Sequence, residues 1–142
     1  MKQSLFDAIG GIEVMEHVHT VFYDKVYAHP WLGNFFIGHD QKAIELRQTQ
    51  FMAEKMGSKS VYPGRELPLA HRRMYITEEL LETRKGLLRE ALQEEGLSEE
   101  LILRWLKIDG AFWGKIKNKS LEEFHQVDFK YEQPLIVDKP EK

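Results

Sequence analysis

Leu67-Pro-Leu-Ala-His-Arg-Arg-Met-Tyr-Ile-Thr77 is the stretch on which the reading of this chain turns. It places one histidine, His71, on a short helical or irregular segment just ahead of a long amphipathic helix. Thr77 and the two glutamates after it form a helix start, with a hydroxyl cap and acids at the positive end. That helix reads to about Glu95, with Leu80, Leu81, Leu87, Leu88, Ala91 and Leu92 inward. Gly96 closes it, and Ser98-Glu-Glu100 opens another reaching about Lys119. Leu101, Ile102, Trp105, Leu106, Phe112, Trp113 and Ile116 mark the core face of this last long helix.

The chain before His71 is also helical by its spacing. Gly10-Gly11 separates a short helix near residues 3–8 from a long one over 12–28. Ile12, Met15, Val18, Phe22 and Val26 recur there at three- and four-residue steps. His29-Pro30 ends that helix, because the residue before a proline is pushed out of the α region. Residues 30–37 form an aromatic corner with Trp31, Leu32, Phe35 and Phe36. Asp40 caps a helix over about 41–56, whose face carries Ile44, Gln48, Phe51, Met52 and Met56. Residues 57–66 are loop by composition. Beyond the last long helix, Ser120-Leu-Glu-Glu123 has a capping-box pattern for one more short turn. The tail from 125 to 142, with two prolines and mixed charge, is expected to be loosely ordered. The fold class is therefore all-α, with one domain over residues 1–124.

Composition narrows the function. The 142 residues are enough for one well-buried core, and 42% hydrophobic with 30% charged residues is ordinary for a globular domain. A net charge of −3 speaks against a nucleic-acid partner. No apolar run nears the roughly 18 residues that span a bilayer, so no membrane association is expected. The start, Met1-Lys-Gln-Ser-Leu-Phe-Asp7, has no apolar signal core. There is no cysteine, which removes disulfides, thiolate nucleophiles, iron–sulfur ligation and thioether attachment of a cofactor. All this fits a cytoplasmic protein.

A histidine facing an apolar pocket with polar tips is what a haem iron needs. Neutral imidazole supplies one axial ligand, and aromatic and aliphatic walls hold the macrocycle. Ile44 and Gln48 lie one helical turn apart and share a side of their helix. Gas bound to ferrous iron carries partial negative charge on its outer atom. A phenol hydroxyl and a carboxamide are neutral donors that stabilise such charge in a dry pocket. Each bond of that kind contributes about 0.5–1.5 kcal/mol, up to roughly tenfold in affinity.

The ordered set of motifs resembles the truncated globins over roughly residues 4–119. Leu5-Phe-Asp-Ala-Ile-Gly-Gly11 is similar to that family's opening helix and double-glycine corner. Phe22-Tyr-Asp-Lys-Val26 resembles its second helix, and Phe35-Phe36 its aromatic corner. Tyr62-Pro-Gly64 resembles the loop before the proximal segment. Ala70-His71, followed by Met74, Ile76 and Thr77, resembles the proximal histidine and the step into the next helix. The resemblance implies a two-over-two helical sandwich holding haem b. It implies that His71 is the iron ligand, Tyr23 the distal hydroxyl, Gln48 a second distal donor and Ile44 the residue at the ligand gate. Phe35, Phe36, Phe51, Met52, Leu67, Met74, Ile76 and Leu81 would complete the walls. Arg47, Arg72 and Arg73 flank the two faces, where a guanidinium suits a haem propionate. Ile44 with Gln48, and no tryptophan in the helix after His71, is closest to the family's first group.

The implied function is binding of dioxygen and other diatomic gases at ferrous iron. In some members of the family it extends to conversion of nitric oxide to nitrate with an external reductase. A haem-based gas sensor, a peroxidase-like activity and a haem-free helical scaffold stay open beside it. Gly57-Ser58 departs mildly from the family's second double glycine. A larger departure is Arg84, on the inward stripe of its helix, with Asp109 on the inward stripe of the next. A lone buried charge is too costly to keep, whereas an opposite neighbour changes the balance. The expectation is that Arg84 and Asp109 pair across the two helices near the distal pocket. The alternative is a slight helix rotation that lets both reach solvent. The other histidines, His17, His19, His29, His39 and His125, are expected at the surface.

Overall fold

The computed structural model describes residues 4–58, 74–111 and 136–137. Among these residues the chain is helical, with five α-helices and one 3₁₀ turn. Helix α1 spans Leu5–Ile9 and is capped by Ser4, whose hydroxyl accepts from the Asp7 amide at 3.1 Å. Gly10 ends it with φ +114°, a conformation that a side chain would strain. A Cβ there would also meet Val14 Cγ2 at 2.6 Å.

Helix α2 spans Ile12–Ala28 and stops where His29 turns extended (φ −74°, ψ 132°) ahead of Pro30. The 3₁₀ turn Leu32–Phe36 follows. Helix α3 spans Gln41–Lys55 and begins at Asp40, whose carboxylate accepts from the Ala43 amide at 3.0 Å. Helix α4 spans Glu78–Glu94 under a Thr77 cap, and Gly96 (φ +84°) turns the chain into α5, Glu99–Gly110, under a Ser98 cap. The expected extension of α5 to Lys119, with Phe112, Trp113 and Ile116, lies outside the described residues. So do the Ser120 capping box and most of the loop expected over 57–66.

The fold is a two-over-two helical sandwich. Helix α2 packs on α3 as one pair and crosses onto α4 of the second pair, α4–α5. Helix α1 bridges α2 and α5. Met15, Val18, Phe22 and Val26 of α2 meet a core that includes Leu88, Leu92, Ile102 and Trp105. Outside it, Lys25 Nζ pairs with Glu94 at 2.7 Å and His17 pairs with Glu95, tying α2 to the end of α4.

Three inward expectations are not fully met. Ile12 is 43% exposed, because the first turn of α2 overhangs the core it points along. Leu87 and Leu101 are only partly buried.

His19 is the opposite correction. It was expected at the surface and is 1% exposed. Position 19 follows Val18 and precedes Phe22 by three, so it falls on the side of α2 that α3 covers. There it joins a polar ladder. His19 Nδ1 meets Thr49 Oγ1 at 2.7 Å, the Thr20 hydroxyl donates to Glu45 at 2.8 Å, and Gln41 Nε2 donates to Asp24 at 2.7 Å. As the number rises along α2 it falls along α3, the signature of antiparallel helices. Glu45, 7% exposed, is also held by Gln41 and Lys42. His29 is half-buried, its Nδ1 accepting from the Trp31 and Leu32 amides. His17 and His39 are exposed, and His125 lies outside the described residues.

Candidate functional site

A cavity of about 270 Å³ opens between the C-terminal half of α2, the 3₁₀ turn, α3 and the start of α4. Helix α2 contributes Phe22, Tyr23 and Val26; the corner contributes Leu32, Phe35, Phe36 and His39. From α3 come Ile44, Arg47, Gln48 and Phe51, spaced at three and four residues so that they share one face. Met74 and Ile76 lead into α4, which adds Leu80, Leu81 and Arg84.

The aromatic wall is built edge to face. The Phe22 and Tyr23 rings lie 4.8 Å apart, and Tyr23 and Phe36 lie 6.1 Å apart. Tyr27 braces Phe36 from outside at 5.2 Å and donates its hydroxyl to the His39 carbonyl at 3.2 Å, which fixes the corner. The corner itself needs a glycine. A Cβ on Gly33 would come within 2.6 Å of the Tyr27 carbonyl oxygen.

The polar side of the cavity has a fixed arrangement. Arg84 Nη1 donates to Asp109 Oδ2 at 2.6 Å, so the expected pair across the two helices exists. The guanidinium carbon lies 5.1 Å from the centre of the Phe22 ring, a cation–π contact. Burial pulls the Arg84 guanidinium down, but Asp109 and the Tyr23 hydroxyl outweigh it and its pKa is raised. Burial pushes the Tyr23 phenol up to about 12, against the opposing pull of Arg84. Tyr23 is thus a neutral donor across the ordinary pH range. Arg47 is exposed and Gln48 half-buried, which sets Arg47 towards solvent and Gln48 further in.

Ten of the site positions read from sequence come together here: Tyr23, Phe35, Phe36, Ile44, Arg47, Gln48, Phe51, Met74, Ile76 and Leu81. Met52 does not join them. It is 1% exposed in the core, turned about 100° round α3 from Phe51. Leu67, His71, Arg72 and Arg73 lie outside the described residues. Phe22, Val26, Leu32, Leu80 and His39 line the cavity although sequence reading gave them no site role. The first four belong to stripes that read equally well as plain core. His39 carries no periodic signal and reaches the cavity because the corner turns it there.

The residues present suit a haem. The lining is largely apolar and aromatic, as a flat macrocycle requires, and each of its few polar side chains can donate. The exposed Arg47 guanidinium at the rim suits a carboxylate such as a propionate. No helix among the described residues is long and apolar enough to cross a membrane.

The model of the bacterial-like globin family matches residues 4–117. A group 1 truncated hemoglobin of Mycolicibacterium paratuberculosis is 31% identical over 99 residues, which is 70% of this chain and 73% of that one. A group 1 truncated hemoglobin of Tetrahymena pyriformis is 26% identical over 106 residues, 75% of this chain and 88% of that one. Among solved structures, the Fe(III) form of the truncated hemoglobin from Tetrahymena pyriformis superposes with a TM-score of 0.78 at 24% identity, over 82% of this chain and all (100%) of that one. The 2/2 hemoglobin from Synechococcus, solved in the cyanomet state with covalently attached heme, gives 0.72 at 26% identity over 88% and 98%. With a family match over most of its length and group 1 relatives on either side, the chain belongs to the bacterial-like globins, as a truncated hemoglobin.

Proposed function

We propose that this protein binds dioxygen and other diatomic gases at the ferrous iron of haem b, with His71 as the protein ligand and Tyr23 and Gln48 as the groups that grip the gas. The family's cofactor is haem b, and binding of small gases at haem is the family's general function. When bound, haem supplies the metal centre and its reversible ligand chemistry. The chain supplies the rest. Phe35, Phe36, Phe51, Ile76 and Leu81 hold an apolar plane and exclude water. Tyr23 and Gln48 offer hydrogen-bond donors from two different helices into one cavity. Ile44, one turn from Gln48, presents a side chain that cannot donate. Arg47 and Arg72 would hold the propionates, and Leu67 and Met74 would serve the cofactor on its His71 side.

The observation that carries this reading is that Tyr23 and Gln48, from two different helices, line one largely apolar cavity. The test is haemin uptake. The purified protein is expected to gain a Soret band, and His71→Ala to lose it. A wild-type protein that takes up no haemin would sink the proposal.

Conversion of nitric oxide to nitrate is the finer reading. Its balance, nitric oxide plus dioxygen plus one electron to nitrate, calls for an external reductase, since the chain has no flavin or nicotinamide motif. Rapid loss of the oxygenated spectrum on adding nitric oxide, with nitrate formed in equal amount, would support it. A cytoplasmic setting fits both readings.

A further inference from the structure

Among the described residues, the cavity is lined by two guanidinium groups and by no carboxylate. Arg47 is exposed at its rim. Arg84 is not: it lies on the wall beside Tyr23, and its counter-charge, Asp109, is not on that wall. The ion pair is therefore polarised. Asp109, with its side chain 6% exposed, sits behind, while the Arg84 side chain, 24% exposed, stands between Asp109 and the cavity. Phe22 under the guanidinium holds its plane.

A guanidinium has five N–H donors in a rigid fork. Asp109 is bonded by Nη1, and Arg84 shares the cavity wall with Tyr23. Arg84 thus adds a donor edge of its own to that wall. The two charges of the pair cancel at long range, so neutral and charged ligands are drawn in alike. At contact they are not equivalent. A ligand with a full negative charge on a terminal acceptor atom gains a charge-assisted bond that a neutral diatomic does not.

From this geometry we infer that Arg84 is a specificity-determining residue, which tilts the cavity's selectivity from neutral gases towards small inorganic anions with a terminal acceptor atom, of the nitrite and azide type. The inference rests on the haem reading above, since the anion is held between the distal wall and the cofactor.

The experiment is spectral titration of the ferric haem-loaded protein with sodium azide and sodium nitrite, with carbon monoxide on the ferrous form as the neutral control. Arg84→Met is expected to weaken both anions about tenfold or more, with carbon monoxide affinity unchanged within about twofold. Because Arg84→Met strands Asp109, the double variant Arg84→Met/Asp109→Leu is titrated in parallel and is expected to give the same anion-selective loss. Arg84→Lys, which keeps the charge, is expected to recover most of the affinity. Anion affinities unchanged in the haem-loaded double variant would overturn the inference and leave the haem reading standing. Equal losses for anions and carbon monoxide would overturn it as well, since they would mark a collapsed pocket. Failure of the wild type to load haemin would overturn both.

Discussion

His19 on α2 and Thr49 on α3 meet at 2.7 Å inside the helix pair, while the other imidazole nitrogen of His19, Nε2, has no partner among the described residues. Trp105 closes over the ring edge to face at 5.8 Å. Burial, helped by the charge on Arg84, pulls the imidazole from 6.5 to about 3. The folded protein therefore refuses a proton that the unfolded chain accepts. Above about pH 6.5 both states are neutral and the contribution is fully present. Below it stability is lost at up to about 1.4 kcal/mol per pH unit, until the folded state titrates near pH 3. His19→Phe removes the titrating group, and Thr49 can then bond its own helix carbonyl. The urea midpoint of the variant is expected to fall less steeply between about pH 6.5 and 4.5 than that of the wild type.

Removing half of the Arg84–Asp109 pair is expected to cost much more than removing all of it. Asp109→Leu leaves a guanidinium in a largely apolar wall and Arg84→Met leaves a buried carboxylate, each at a cost of roughly 3 kcal/mol. Arg84→Met/Asp109→Leu replaces both with apolar groups and is expected to lie within about 1 kcal/mol of the wild type. Denaturant unfolding of the two single variants and the double variant, read as a cycle, measures the coupling.

At Tyr23 the expectation concerns ligand affinity. Tyr23→Phe removes one neutral donor and keeps the ring against Phe22 and Phe36. The affinity of the haem-loaded ferrous protein for dioxygen is expected to fall by up to about tenfold, mainly through faster dissociation. Gln48→Leu is expected to act in the same direction. The Tyr23 phenol is also expected to stay protonated to about pH 12. A wild-type minus Tyr23→Phe difference titration should therefore show no phenolate absorbance at pH values where an exposed tyrosine, near 10, already ionises.

Gly33→Ala tests whether the corner is built as tightly as it looks. The added methyl would sit 2.6 Å from the Tyr27 carbonyl oxygen and 3.3 Å from that of Val26, and backbone cannot swing aside as a side chain can. A loss of about 1–3 kcal/mol is expected. Because Leu32, Phe35 and Phe36 ride on this turn, haemin affinity should fall with it, which titration of the variant would reveal.

The fold was legible because its punctuation is local. Ser4, Asp40, Thr77 and Ser98 each cap the helix they precede, and Gly10 and Gly96 each end or turn one at positive φ. The distal wall was legible for a similar reason: Ile44, Gln48 and Phe51 share a face by spacing alone. The resemblance to a family supplied their roles. The α2–α3 interface was not legible. Glu45, Thr49 and His19 are residue types that normally lie outside, and only their mutual pairing makes burial tolerable. Periodicity detects apolar stripes, so a buried face made of polar partners reads as a solvent face. Met52 shows the converse limit, since an apolar residue next to Phe51 on the same helix lies in the core and not on the cavity wall. The Arg84–Asp109 pair fell between these cases. Each charge was conspicuous on an apolar stripe, but the contact itself depended on the rotation of two helices.

The indole of Trp31, buried in the corner, donates to the carbonyl of Val137 at 3.0 Å, joining positions 106 residues apart. Val137 therefore docks at the start of the same turn that carries Phe35 and Phe36. A fluorophore is thus wired to the C-terminal segment: anything that lifts residues 136–137 away exposes that ring to water and red-shifts its emission. The protein carries its own optical reporter of how firmly Val137 is seated on the aromatic corner.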